Sequence, residues 1–392
     1  MMPRPIKLNV SWVGAVDWDR RLFDALIPLP DGTSYNAYLV QGSQKVALID
    51  TVDPAMTEVL MGYLKDVPAI DYVIANHGEQ DHSGSIPTVL AAYPNARLVA
   101  TPKGKDVLMS LLQVPGEKFV TVNDGETLSL GDKTLEFIHA PWVHWPETML
   151  TYLKEDGILF ACDLFGSHLA TTDLYVIDEG QAYEAAKRYF AEIMMPFRTS
   201  IEKHLERLKD YKLDIICPSH GPLHKKPSFI MDAYRTWVLD PPRNTVVLPY
   251  ISMHGSTQRM VEYFVAALVS KGVTVKQFNL EATDLGKLAM ALVDAATLVI
   301  GTPTVLVGPH PHVASAAFLA NALRPRLEFI SIIGSYCWGS KAVEQLTGMI
   351  PNLKAEVLEP VICKGLPGEE ELKALDNLAD TIAEKHKERG FV

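Results

Sequence analysis

Cysteine is scarce in this chain. Four thiols, Cys162, Cys217, Cys337 and Cys363, are scattered through 392 residues and form no Cys-x-x-Cys pair. That excludes a zinc knuckle or a rubredoxin-type iron site within the chain. Unpaired thiols in a large acidic chain suit a reducing cytoplasm. Long apolar runs are also missing, so no membrane span is expected. The opening residues, Met1-Met2-Pro3-Arg4-Pro5-Ile6-Lys7, have no apolar core, so no signal peptide is expected either. Basic charge is in deficit: 36 Lys and Arg against 47 Asp and Glu leave a net charge of −11. With no basic patch to neutralise phosphates, a general nucleic-acid binder is disfavoured. No internal repeat or low-complexity tract stands out. What is present, 48% hydrophobic and 21% charged residues, is globular composition. The length exceeds one ordinary core, so two domains are expected.

The pattern changes once along the chain. In the first part, strand-like runs at 35–40 and 46–50 flank a Gly42-Ser43 turn. Further strands read at 72–76, 97–100, 127–130, 134–138, 149–153, 158–162 and 214–217. Helices read at 54–65, 86–93, 103–112, 180–194, 199–211 and 228–237. Hairpin-paired strands with interspersed helices predict an αββα sandwich. Asp240-Pro241-Pro242-Arg243-Asn244 is a linker by composition. Regular alternation follows, with strands at 245–251, 273–278, 297–300, 328–333 and 356–361 and helices between and after them. This predicts a doubly wound parallel sheet. The expected domains are 1–242 and 243–392.

The densest chemistry lies at Asn76-His77-Gly78-Glu79-Gln80-Asp81-His82-Ser83-Gly84, directly after the apolar run Tyr72-Val73-Ile74-Ala75. Two His and two carboxylates at one strand end are costly unless a cation neutralises them. In an extended loop His77 and Glu79 point the same way, leaving Asp81 and His82 for a second ion. His144, Asp163 and His220 each follow a buried apolar segment and can join them. A lone His after a strand is more often a surface or capping residue, and a lone Asp a turn residue; the clustered loop is what favours metal. Gly78, between two of the donors, predicts a flexible loop.

In the second part, Ser252-Met253-His254-Gly255-Ser256-Thr257 joins the first strand to the first helix. Small residues there let backbone N–H groups reach a phosphate at a helix N-terminus, although a plain N-cap has the same look. The segments containing Pro303, Thr304, Val305 and Leu306, and Ser335, Tyr336, Cys337, Trp338 and Gly339, follow later strands. Gly and aromatic residues there can bracket a flat ring, or serve as turns and core. At the strand C-termini of a flavodoxin-order sheet, the three together are where FMN would sit. His139, His168, His204, His224, His310, His312 and His386 are read as structural or surface groups.

His-x-Glu-x-Asp-His followed by His144, Asp163 and His220 resembles the metallo-β-lactamase fold. Zinc hydrolases of that fold usually carry His where this chain has Glu79. The Glu version, followed by a flavodoxin-like half, resembles the flavodiiron proteins, as do Val13-Gly14-Ala15-Val16-Asp17-Trp18 and His144-Trp145-Pro146. An added carboxylate also favours harder iron over zinc. The resemblance implies that His77, Glu79 and His144 bind one iron and Asp81 and His220 the other. Asp163 would bridge them, and His82 in some relatives swings away. It implies FMN and two iron ions, and reduction of dioxygen to water or nitric oxide to nitrous oxide. It also implies a separate donor, either a rubredoxin-like protein or a reduced deazaflavin coenzyme, and a head-to-tail homodimer or dimer of dimers. The competing expectation is a zinc hydrolase with an accessory flavodoxin-like domain. One departure stands out: many members carry His after the Phe of the segment Leu22-Phe23-Asp24-Ala25-Leu26, where this chain has Asp24.

Overall fold

Side-chain alternation along the strands sorts the first half into layers. Tyr38, Val40, Ala47 and Ile49 face one core, while their neighbours Leu39 and Leu48 face another. That is the period of two expected of strands buried on both faces. The computed structural model describes residues 2–391. By its contacts the chain divides into two units. One is the chain up to Tyr189 together with Phe197–Val238; the other is Phe190–Pro196 together with the chain from Leu239 onward.

In the first unit a sheet runs Arg4–Lys7, Val10–Trp12, Tyr38–Gln41, Val46–Ile49, Tyr72–Ile74, Arg97–Ala100, Phe119–Thr121. Its pairs are antiparallel up to Val46–Ile49 and parallel thereafter. A second sheet runs Thr127–Ser129, Thr134–His139, Met149–Leu153, Ile158–Cys162, Ile215–Pro218, and only its last pair is parallel. Val10, Trp12 and Val99 of the first sheet meet Phe137, Phe160 and Cys217 of the second in one core. Leu39, Leu48, Val73 and Leu98 pack outward on Leu60, Leu64, Leu90 and Leu108 of the covering helices. This is the αββα sandwich expected from sequence.

The second unit holds strands in the order Thr274–Asn279, Arg243–Tyr250, Ala295–Val305, Phe329–Tyr336, then Glu356–Val357 with Val361–Lys364. These pairs are parallel, and the sequence order 2-1-3-4-5 is the flavodoxin-like winding. Val246 and Leu248 face helices Ser256–Ser270 and Glu369–Glu388, while Val247 faces Leu285–Leu292 and Pro311–Leu323.

Three local differences stand out, and two have a direct physical cause. The final strand breaks near Pro360, which has no N–H to give the ladder. The segment after Ile300 stays in the strand to Val305, because it pairs with Phe329–Tyr336 and then folds back on Gly308–Pro309. The helix expected at 180–194 is regular only over Glu179–Tyr189 and widens into a π turn at Phe190–Met194.

Asn36 ties the layers of the first unit together. Its side chain accepts from Trp12 Nε1 and donates to the carbonyls of Pro218 and Gly221, each at 2.8 Å. Asn36→Ala leaves Trp12 Nε1 and the Gly221 carbonyl without this partner, while the Pro218 carbonyl keeps the Tyr38 hydroxyl, so we expect a loss of about 2 kcal/mol or more, read as a lower urea midpoint at unchanged slope.

Candidate functional site

Strand Tyr72–Ile74 lies between Val46–Ile49 and Arg97–Ala100, parallel to both. The chain therefore leaves the sheet at its carboxyl edge, where Asn76 is pinned. Its backbone and side-chain N–H groups donate to the two oxygens of Asp50, each at 2.8 Å, and its Oδ1 accepts from the Thr151 hydroxyl at 2.7 Å. Burial raises the Asp50 pKa to about 6, with His82 and Asn76 opposing the rise. His77 and Glu79 lie in the stretch before a helical turn, Gln80–Ser83. The Ser83 hydroxyl donates to the Gly78 carbonyl at 2.8 Å, and the His82 carbonyl accepts from the Thr51 N–H and hydroxyl. The expected flexibility at Gly78 is not what the structure shows. A Cβ there would meet Val107 Cγ1 at 2.5 Å, and the Gly78 N–H donates to Glu147 at 3.0 Å. The glycine serves close packing.

All seven metal-ligand candidates come together, in two groups. In the first, His77 Nε2 and His144 Nε2 each lie 3.1 Å from Glu79 Oε2, and Asp163 Oδ2 is 3.6 and 3.5 Å from the same two nitrogens. In the second, His82 Nε2 lies 3.0 Å from Asp163 Oδ1 and 3.3 Å from Asp81 Oδ2. His220 Nε2 lies 3.1 Å from Asp81 Oδ2 and 3.4 Å from Asp163 Oδ1. Each oxygen of Asp163 thus faces one group. Asp81, His82 and His220 are close enough to share one ion, as are His77, Glu79, His144 and Asp163.

The donor set fits metal. Both oxygens of Asp81, Asp163 Oδ2 and both nitrogens of His82 are buried and make no hydrogen bond. Buried acceptors of this kind need a cation. The remaining imidazole nitrogens are held from behind: His77 Nδ1 donates to Glu147 Oε1 at 2.7 Å, and His220 Nδ1 to the Ser34 carbonyl at 2.7 Å. These partners leave Nε2 of each ring facing inward. The Tyr189 hydroxyl donates to Asp163 Oδ1 at 2.9 Å. Glu147 and Tyr189 escaped the reading of the sequence. Glu147 was visible only as a carboxylate three positions beyond His144, and Tyr189 carried no signal.

Burial alone would lower the imidazole pKa values, but the carboxylates outweigh it. Glu147 and Glu79 hold His77 up at about 10, and Asp163 and Asp81 hold His220 at about 10. His82 and His144 are raised to about 9. Burial opposes ionisation of Glu79 and Asp163 too, yet the same contacts pull both below the carboxylate range. Glu79 and His144 keep 15% and 16% side-chain exposure, whereas His77, His82, Asp163 and His220 keep at most 1%. The site therefore opens on the Glu79–His144 side. His168, read as structural, lies with its ring 4.8 Å from that of His220 and its Nδ1 2.9 Å from the Thr33 hydroxyl.

In the second unit a cleft of about 250 Å³ opens at the strand carboxyl ends. Ser252, Met253, His254, Ser256, Thr257, Pro303, Thr304, Ser335, Tyr336 and Cys337 line it, joined by Gly365, which the sequence reading missed. Gly365 follows strand Val361–Lys364 at φ +77°, and that glycine was its one available signal. Gly255, Val305, Leu306, Trp338 and Gly339 do not line the cleft. Gly255, at φ +88°, caps helix Ser256–Ser270 without a side-chain hydrogen bond. The Ser256 and Thr257 N–H groups at the start of that helix suit a phosphate. The Ser252 hydroxyl accepts from the Gly255 and Gln258 N–H groups at 3.2 and 3.1 Å.

A two-group donor pocket in a metallo-β-lactamase-type sandwich, followed by a flavodoxin-order sheet with a phosphate-ready cleft, defines a two-domain metalloflavin oxidoreductase. A family model described as ODP family beta lactamase matches residues 33–221. The chain is 33% identical to a nitric oxide reductase of Moorella thermoacetica, over 97% of this chain and 99% of that protein. It is 30% identical to a coenzyme F420H(2) oxidase of Methanocaldococcus jannaschii, over 97% and 96%. Among solved structures, it superposes on rubredoxin oxygen:oxidoreductase from Desulfovibrio gigas with TM-score 0.95, at 28% identity over 100% of both chains. The flavodiiron protein of Giardia intestinalis gives TM-score 0.90, at 27% identity over 97% of both. The chain belongs to the flavodiiron family of oxidoreductases. The competing zinc-hydrolase expectation is set aside, since relatives matching nearly the whole chain are named as oxidoreductases. Among the described residues, no helix is long and apolar enough to cross a membrane.

Two predictions follow from the donor geometry. Glu147→Gln removes the anionic acceptor behind His77, so metal affinity should fall about 10- to 100-fold with the fold intact, read by competition titration against a chelator. The second concerns pH. The four imidazoles are raised above their ordinary 6.5. Their contribution to stability is complete below that value and lost as pH climbs through about 9 to 10. Glu79 and Asp163 are lowered, so theirs is lost in acid. Chelator-stripped protein should be most stable between about pH 5 and 6.5 and lose melting temperature progressively from there towards pH 10. Metal-reloaded protein should lose less in calorimetry.

Proposed function

We propose that this chain passes electrons from an external donor through FMN to two iron ions, reducing dioxygen to water, nitric oxide to nitrous oxide, or both. The observation that carries this reading is Asp163, with one oxygen facing each donor group. His77, Glu79 and His144 would hold one iron, and Asp81, His82 and His220 the other, with Asp163 between them. When bound, the irons supply Lewis acidity and redox change, and the flavin supplies electrons singly.

The chain's own residues set the conditions for that chemistry. Glu147 and the Ser34 carbonyl keep His77 and His220 in the tautomer with Nε2 free. Tyr189 fixes the rotation of the Asp163 carboxylate. Three carboxylates face four positive charges of a ferrous pair, which favours iron over zinc and stabilises its oxidised state. In the second unit, Ser256 and Thr257 would receive the flavin phosphate at the helix N-terminus. Met253, Tyr336 and Cys337 line the space for the ring.

The names of the relatives support the substrates and donor class: nitric oxide for one, and a reduced F420 coenzyme or rubredoxin for others. A head-to-tail homodimer in the cytoplasm is part of the same reading. Exposed apolar groups near each site favour it: Trp18, Leu22 and Leu26 in the first unit, and Met253, Leu306 and Trp338 in the second.

The test uses protein expressed with iron and purified anaerobically, assayed for metal, flavin and gas uptake with a chemically reduced donor. Two irons and one FMN per chain, with consumption of at least one of the two gases, are expected. Iron-loaded, flavin-loaded protein that consumes neither gas contradicts the reading.

A further inference from the structure

We propose that His82, Cys162 and Asp163 form a further metal site, suited to a soft divalent ion such as zinc or cadmium and not to iron. This rests on the diiron reading above and adds a competing ion to it.

A nitrogen of His82, the sulfur of Cys162 and a carboxylate oxygen of Asp163 all lie within 4.8 Å of one another, and all three residues are buried. Donors bound to one tetrahedral zinc stand about 3.5 Å apart, so small side-chain movements close the set. The backbone presents the thiol. Cys162 ends strand Ile158–Cys162, just past an irregularity in its ladder with Ile215–Pro218. Its φ is +50°, a left-handed conformation that costs any residue with a Cβ. Ile158 and Phe160, two and four positions earlier, join the core between the sheets, as does Cys217. Cys162 does not join that core; its sulfur lies with the donors instead.

His82 is the second observation. His77 and His220 each have one ring nitrogen held from behind, by Glu147 and by the Ser34 carbonyl. Neither nitrogen of His82 makes a hydrogen bond, although the ring is buried. With no partner fixing its tautomer or rotation, this ring can serve either of two sets: Asp81 and His220, or Cys162 and Asp163.

The donor atoms then choose the ion. The groups assigned to iron contain only nitrogen and oxygen, whereas this set includes sulfur. Thiolate favours zinc and softer ions. On binding, the Cys162 thiol releases its proton to solvent and the sulfur bonds the ion; no electron moves. His82 and Asp163 are taken from the two iron groups, so a soft ion here and a complete iron pair exclude each other. Excess zinc would thus switch the centre off.

Cadmium tests this without turnover. Its thiolate complexes absorb in the ultraviolet, and its nuclear resonance moves downfield when sulfur is bound. The full chain carrying Cys337→Ser, which removes the exposed thiol, is stripped with chelator and titrated anaerobically with Cd²⁺. Both readouts should show one thiolate-bound ion per chain. Adding Cys162→Ser should abolish the band and the downfield resonance, whereas adding Cys363→Ser should keep both. Circular dichroism checks the fold, and Cys162→Ala replaces Cys162→Ser if the latter does not fold. In the iron-loaded chain, Cd²⁺ should raise the same band while releasing at least one iron. Cadmium without sulfur ligation, a band that survives loss of Cys162, or a band that grows while both irons are retained overturns the proposal. Stripped protein that takes up fewer than two ferrous ions per chain overturns the dinuclear reading itself.

Discussion

The site depends on one carboxylate serving two sides. Asp163 ends strand Ile158–Cys162, and its oxygens face separate groups of donors. Its placement comes from strand register. Cys162 pairs with Pro218 in the parallel ladder, and the Ser219 N–H donates to the Cys162 carbonyl at 2.8 Å. Asp163 and His220 therefore emerge side by side from adjacent strands. A slip of one residue in that pairing would turn each to the opposite face. Sheet formation and site formation are here the same event.

The sandwich also supplies rigidity from beneath. Asp50, Asn76 and Thr151 form a buried chain of hydrogen bonds across both sheets. It anchors the residue before His77, so the donor loop starts from a fixed point. The loop satisfies its own backbone through Ser83 and Thr51, leaving its side chains to meet each other. The second unit follows a different rule. Its parallel strands end together, and helix Ser256–Ser270 begins beside them behind Gly255, the place where doubly wound sheets bind phosphate.

Much of this was legible in the sequence, for identifiable reasons. The donors at 77–82 are adjacent in the chain, so their density showed without any tertiary knowledge. His144, Asp163 and His220 showed because each follows a buried apolar run. The β-α alternation after residue 243 announced the second sheet. What stayed hidden depends on long-range contact. Glu147 meets His77 across 70 residues and Tyr189 meets Asp163 across 26, and no local pattern encodes either meeting. Leu306 and Trp338 were expected at the cleft from their loops alone. The strand, however, continues to Val305 and folds back, which leaves Leu306 at 90% exposure. Gly78 looked like a hinge because Val107, which covers it, lies on a different element.

The charge arrangement explains why metal and fold are coupled. Four imidazoles and three carboxylates share one largely buried pocket, and the carboxylates hold the imidazoles protonated well above their ordinary range. Protons and metal ions thus compensate the same negative charge. Loading metal displaces protons from the rings, so uptake is linked to pH and to folding together. The choice of metal follows from the same balance. A histidine at Glu79 would leave two carboxylates and suit zinc, whose charge never changes. Glu79 makes three, and a more anionic pocket suits an ion that cycles between two and three positive charges. The side that carries this extra carboxylate is also the side left open.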